Sequence, residues 1–229
     1  MSSIAQSLEE IRNRVTVLEG RYGRSPGEVS VLAVSKTKPP EAVRAAAQVG
    51  QRDFGENHLQ DALTKLDGLA DLNLVWHFIG PVQSNKTRVV AARFDWVHSI
   101  DRAKIARRLN EQRPEDLPPL EVCLQVNVSG EASKSGVEPD EVEELAGVVS
   151  ELPRLRLRGL MTLPHPCEDL EEQRRPFATL RGIKESLNAG GLALDTLSMG
   201  MTNDMEAAIA EGATIIRIGT AIFGARDKA

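Results

Sequence analysis

Short apolar runs alternate with longer amphipathic stretches along almost the whole chain. Ile4, Leu8, Ile11, Val15 and Leu18 recur at spacings of three and four, which places them on one face and predicts an N-terminal helix ended by Gly20 or Gly23. Eight runs of strand length follow, over residues 29–34, 53–55, 74–80, 96–100, 120–128, 155–163, 196–200 and 214–219. Most segments between them carry helical periodicity. Val142, Leu145, Ala146 and Val149 share a face, as do Phe177, Leu180, Ile183 and Leu187. Asp101 is placed to N-cap the helix that carries Ile105, Ala106 and Leu109.

Strands separated by helices pair in parallel through crossovers. Eight such units predict an α/β fold, a single TIM-like (β/α)8 barrel over residues 1–229 with one additional helix at its N-terminus. An open doubly wound sheet is the competing architecture, but it would show a glycine-rich phosphate turn after its first strand. Here the first run ends in Ser35-Lys36-Thr37-Lys38-Pro39-Pro40, which cannot make that turn.

Composition narrows the picture. The chain has 229 residues, 41% of them hydrophobic but only 3% aromatic, so its core is aliphatic, as expected of buried parallel strands. A net charge of −5 with no basic stripe argues against nucleic-acid binding. No apolar stretch approaches the ~20 residues of a membrane span. The N-terminus lacks the pattern of a signal peptide. Cys123 and Cys167 have no metal-site spacing, and a reduced, cytoplasmic setting is expected.

In a barrel of this kind chemistry gathers at the C-terminal ends of the strands. Lys36 closes the first run. Alternation puts it on the face of Leu32 and Val34, where desolvation would lower its pKa and free the amine to attack a carbonyl. Lys38 is the rival. Asn57 follows the second run, His77 lies in the third, and Ser198-Met199-Gly200 and Arg217-Ile218-Gly219-Thr220 close the last two. Glycine–hydroxyl pairs after strands seven and eight suit a phosphate. A lysine nucleophile facing a phosphate site implies an aldehyde or ketone that bears a phosphate. Pyridoxal 5′-phosphate (PLP) and a sugar phosphate both qualify.

The motifs separate these options. Val34-Ser35-Lys36-Thr37-Lys38-Pro39, Phe54-Gly55-Glu56-Asn57, Trp76-His77-Phe78-Ile79-Gly80 with Gln83-Ser84-Asn85-Lys86, Gly159-Leu160-Met161, Leu197-Ser198-Met199-Gly200-Met201 with Asp204-Met205-Glu206-Ala207-Ala208-Ile209, and Arg217-Ile218-Gly219-Thr220-Ala221-Ile222-Phe223-Gly224 together resemble the pyridoxal phosphate homeostasis protein family, the YggS-type proteins. The resemblance runs from about Val29 to Arg226. It departs at Thr202-Asn203, where members often carry Ser and an acidic residue.

The resemblance implies a fold-type III PLP-binding barrel related to the N-terminal domain of alanine racemase. It implies PLP held as a Schiff base on Lys36, and a cytoplasmic role in vitamin B6 and amino-acid homeostasis without established catalytic turnover. Arg217 would then lie near the pyridine nitrogen. A guanidinium there stays charged and weakens the ring as an electron sink. Ser198, Met199, Gly200, Gly219 and Thr220 would surround the phosphate, although Met199 reads more naturally as packing. Asn57 would hydrogen-bond the cofactor or orient a neighbour. His77 would line the ring pocket or serve as a hydrogen-bonded core histidine. The partners implied are PLP and PLP-accepting apoenzymes, with no metal, nucleic acid or membrane, in a monomer.

An amino-acid racemase is the alternative function on the same lysine. It needs a second acid–base group on the opposite face of the substrate carbon. The sole tyrosine, Tyr22, falls in the first helix, far from any strand end, and no second domain is expected after residue 229. Both features argue for a binder. A Schiff-base aldolase would more commonly place its lysine on a later strand.

Overall fold

The computed structural model describes residues 3–129 and 135–225. The ends of the expected span 1–229, and Arg226 at the limit of the resemblance, lie outside the described residues. Eight parallel strands close into a barrel in chain order. They are β1 (Ser30–Val34), β2 (Asp53–Glu56), β3 (Val75–Phe78), β4 (Trp96–Ile100), β5 (Leu120–Gln125), β6 (Leu155–Met161), β7 (Thr196–Ser198) and β8 (Ile215–Ile218). Seven of the eight sequence runs contain a whole strand, and β2 continues one residue past its run, to Glu56. The predicted runs extend too far mainly at their C-terminal ends, where the chain turns out into the rim loops.

Helices cover the barrel: α1 (Ile4–Arg21), α2 (Pro40–Gln48), α3 (Leu59–Gly68), α4 (Thr87–Arg93), α5 (Ala103–Gln112), α6 (Val142–Ser150), α7 (Leu170–Ala189), α8 (Met205–Ala210) and α9 (Thr220–Phe223). The first has a capping box: Ser3 Oγ accepts from Gln6 N at 3.2 Å, and Gln6 Oε1 accepts from Ser3 N at 2.8 Å. It ends at Arg21, two residues before Gly23. One cap differs from expectation. Arg102, not Asp101, is the N-cap of α5, and Asp101 instead pairs with the Arg102 guanidinium at 2.8 Å.

Closure comes from pairing of β1 with β8, in the register Ser30↔Ile215 and Leu32↔Arg217. Across that seam α1 packs its buried face of Leu8, Ile11, Val15 and Leu18 and contacts α2, α8 and α9. Glu19, also buried, accepts from Val29 N at 2.8 Å and Gly27 N at 3.1 Å, which ties the helix to the loop entering β1. The additional helix therefore latches the joint of the barrel.

Candidate ligand site at the C-terminal mouth of the barrel

Lys36 is not part of β1. Residues 35–38 form a turn closed by Lys38 N donating to Ser35 O at 3.0 Å, and Thr37 has φ +64°. A positive φ at the third residue of such a turn is where glycine is usual; a β-branched residue there is a strained outlier. The turn lifts Lys36 off the strand and leaves it exposed. The burial of Lys36 against Leu32 and Val34 expected from simple alternation is therefore not found.

Beneath the turn sits a buried ionic cluster. Lys65 of α3 donates to Glu56 Oε1 at 2.6 Å and to Ser35 O at 2.7 Å, and Ser35 Oγ donates to the same carboxylate oxygen at 2.6 Å. Burial pushes the Glu56 carboxyl up from its usual range, opposed by Lys65 and Ser35. The position of Lys36 is thus anchored from below by groups that never reach the mouth.

Lys36 lies on the wall of a cavity of about 1250 Å³ that also includes Asn57, Arg217, Gly219 and Thr220. Four cations, Arg14, Lys36, Lys38 and Arg217, face it against two carboxylates, Glu168 and Asp204, which suits an anionic ligand. Among the described residues Lys36 has no hydrogen bond or ion pair, whereas Lys38 Nζ donates to Ala225 O at 2.7 Å. Asn57 Oδ1 is buried without a partner on the cavity wall. Its backbone is pressed close to Gly80, where an added Cβ would come within 2.3 Å of Asn57 O.

Arg217 enters from β8 and is nearly buried. Its Nη1 donates to Ser198 Oγ and its Nη2 to Thr162 O, each at 2.8 Å. Burial lowers its pKa to about 10, which leaves it charged at neutral pH. No carboxylate bonds to it among the described residues, although Asp204 on the same cavity wall acts on it through space.

Four expected site residues do not line this cavity. The Ser198 hydroxyl points into the barrel, where it meets Arg217 and His98 Nδ1 at 2.8 Å, so it is bonded there rather than lining the cavity. Met199 is fully buried packing. Gly200 has φ +92° and its Cα faces Ala208, where a Cβ would clash at 2.4 Å, so it makes the turn rather than the wall. The wall after β7 is formed by Met201, Thr202 and Asn203 instead. His77 lies inside the barrel, bonded to His98 at 2.9 Å and Asp53 at 3.1 Å; it is a core histidine. Sequence reasoning missed Arg14, Lys65 and His98. A lysine between Ala62 and Leu66 on the buried face of α3 was the available signal for Lys65.

The chain matches a family model described as the alanine racemase N-terminal domain over residues 6–227. A curated protein of Pseudomonas aeruginosa named "Pyridoxal phosphate homeostasis protein" is 60% identical over 227 residues, covering 99% of this chain and 97% of that one. Its namesake in Escherichia coli K12 is 52% identical over 234 residues, with 99% and 98% covered. The chain belongs to the pyridoxal phosphate homeostasis protein family. Among solved structures, PipY of Synechococcus elongatus with PLP bound superposes with a TM-score of 0.85 at 37% identity, covering 97% of this chain and all of that one. The closed eight-stranded barrel has the fold of the alanine racemase N-terminal domain, with α1 packed on it.

Proposed function

We infer that this protein holds PLP covalently on Lys36 and acts in PLP homeostasis as a carrier rather than as an efficient catalyst. The observation that carries the reading is the Lys36 amine, without a partner among the described residues, on the wall of one cation-rich cavity with Arg217, Gly219 and Thr220. The residues present fit the ligand, since Asn57 supplies an unpartnered buried oxygen and the cavity's charge suits a phosphate. PLP supplies an aldehyde for a lysine and a ring that can accept electrons.

The chain's own residues then have distinct tasks. Lys36 is the nucleophile, and its exposure lets ligand come and go. Lys38 is held back by Ala225 O. Arg217 would lie by the ring nitrogen and keep positive charge there, which would disfavour ring protonation. Gly219 and Thr220, together with Thr202 and Asn203, would hold the phosphate; the amides of Thr220 and Ala221 precede the first hydrogen bond of α9, from Ile222 N to Gly219 O.

Racemisation has little to work with. Among the described residues no tyrosine lines the cavity, and Tyr22 donates to Glu206 at 3.1 Å instead. Cys167 does line it, but desolvation and then Glu172, Asp169 and Asp204 push its thiol up, away from the thiolate. Addition of PLP to the purified protein should give a visible absorption band that Lys36→Ala abolishes and Lys38→Ala retains. Incubation with L-alanine should yield no D-alanine above background, and the loaded protein should slowly activate a PLP-dependent apoenzyme. A band that survives Lys36→Ala removes the assignment, and rapid racemisation removes the carrier reading.

A further inference from the structure

The interior of a parallel barrel is normally packed with branched aliphatic side chains. Here a line of polar side chains crosses it. Asp53 Oδ1 meets His77 Nε2 at 3.1 Å, His77 Nδ1 meets His98 Nε2 at 2.9 Å, His98 Nδ1 meets Ser198 Oγ at 2.8 Å, and Arg217 Nη1 meets the same oxygen at 2.8 Å. His98 and Ser198 are 0% exposed, His77 2% and Arg217 5%. The line starts at a second cavity of about 310 Å³ lined by Ser30, Asp53, Trp96, Thr196 and Ile215, the first residues of β1, β2, β4, β7 and β8. It ends on the wall of the large cavity at the opposite mouth.

The two ends fix the direction of every proton. Arginine can only donate, and a carboxylate can only accept. Ser198 Oγ accepts from Arg217, so its own hydrogen goes to His98 Nδ1. His98 then carries its proton on Nε2 and donates to His77 Nδ1. His77 donates in turn from Nε2 to Asp53. The reverse order fails at both ends. A proton on His98 Nδ1 would also point at Ser198 and strand the serine hydrogen without an acceptor in a buried site, a costly omission. A neutral His77 reversed in the same way would turn a lone pair toward the carboxylate. Burial first, then His77 and Arg217, hold the His98 pKa well below 6.5, consistent with a neutral ring.

We propose that Asp53 fixes the proton order of a one-way hydrogen-bonded chain across the barrel, and that His77, His98 and Ser198 position the Arg217 guanidinium through it. No carboxylate bonds to Arg217 among the described residues; Asp204, on the wall of the same cavity, acts on it only through space. The proposal deepens the reading of the large cavity as a PLP site by naming what sets the orientation of the side chain beside the ring. The chain itself is measured without PLP.

Imidazole ¹⁵N spectra of the ligand-free protein at neutral pH should show His77 and His98 both protonated on Nε2 and bare on Nδ1. Asp53 is half-exposed at the start of a strand, and Asp53→Asn keeps an acceptor while removing the charge. That variant should shift the His98 ring and Arg217 guanidinium resonances at the far end of the line, and Ser198→Ala should shift His77. A proton on Nδ1 of either histidine in the parent protein, or unmoved Arg217 and His98 signals in Asp53→Asn, would overturn the proposal. Titrated with PLP, Asp53→Asn should bind about two- to tenfold more weakly than the parent; equal affinity would overturn the positioning role. A parent that shows the proton order but binds no PLP would sink the assignment of the cavity and leave the Asp53–Arg217 coupling standing.

Discussion

Lys36 owes its place to Ser35, Thr37, Glu56 and Lys65 rather than to the strand before it. The sequence made the lysine conspicuous, because a charge at the end of an apolar run invites attention. It did not show that the chain turns at Ser35, since nothing but a β-branched Thr37 stands where the turn needs φ +64°. Alternation was also blind to Ser198 and His77. In strands buried on both sides an inward polar residue and an outward one look alike. Removing one partner of a buried ion pair typically costs about 3–5 kcal/mol. Lys65→Met should therefore lower the unfolding free energy by about that amount in urea titrations, and Lys65→Met with Glu56→Gln should recover part of it. It should also weaken PLP binding, because Ser35 O loses its ammonium partner.

The elements were easier to read than the residues. All eight strands and the long α1 and α7 follow from periodicity, because each is long or strongly apolar enough to outweigh local propensity. The short α9 and the cap of α5 were not legible, since one helical turn leaves no period to detect. The latch made by α1 has a measurable value. Leu8 is fully buried in it, and truncating such a leucine costs about 2–5 kcal/mol. Leu8→Ala should destabilise by that amount and raise hydrogen exchange first in β1 and β8. At the other mouth Arg158 of β6 bridges strands, holding Asp195 at 2.6 Å and Glu121 at 3.1 Å. Burial raises the Asp195 carboxyl, but hydrogen bonds from Arg158 and Thr196 outweigh it and leave the pKa below 3.8. A depressed folded pKa contributes stability that is complete above pH ~4 and lost as pH falls through the folded value. The stability gap between the parent and Asp195→Asn should thus be full near neutrality and close in acid. A gap that widens below pH 4 would show the opposite sign.

At the scale of the whole molecule, the barrel separates two jobs. Helices and the seam make the shell, while one mouth gathers exposed Lys36, Asn57, Arg217 and the Gly219 turn into a cation-rich cavity. No described helix is long and apolar enough to cross a membrane, and no metal-binding cluster occurs among the described residues. A ligand bound only by the folded state stabilises it by mass action, about 2.7 kcal/mol at a hundredfold excess over Kd. For a chain of this length PLP at that excess should raise Tm by roughly 5–10 °C. Lys36→Ala should lose most of the shift, and an equal shift in that variant would place the ligand elsewhere. The linkage itself is open to direct sight. Borohydride reduction of the PLP-loaded protein, followed by peptide mass spectrometry, should find one reduced pyridoxyl phosphate adduct on the peptide that contains Lys36, at that residue. An adduct confined to Lys38 or to a lysine outside the cavity, or no adduct from a protein that has bound PLP, would contradict the account.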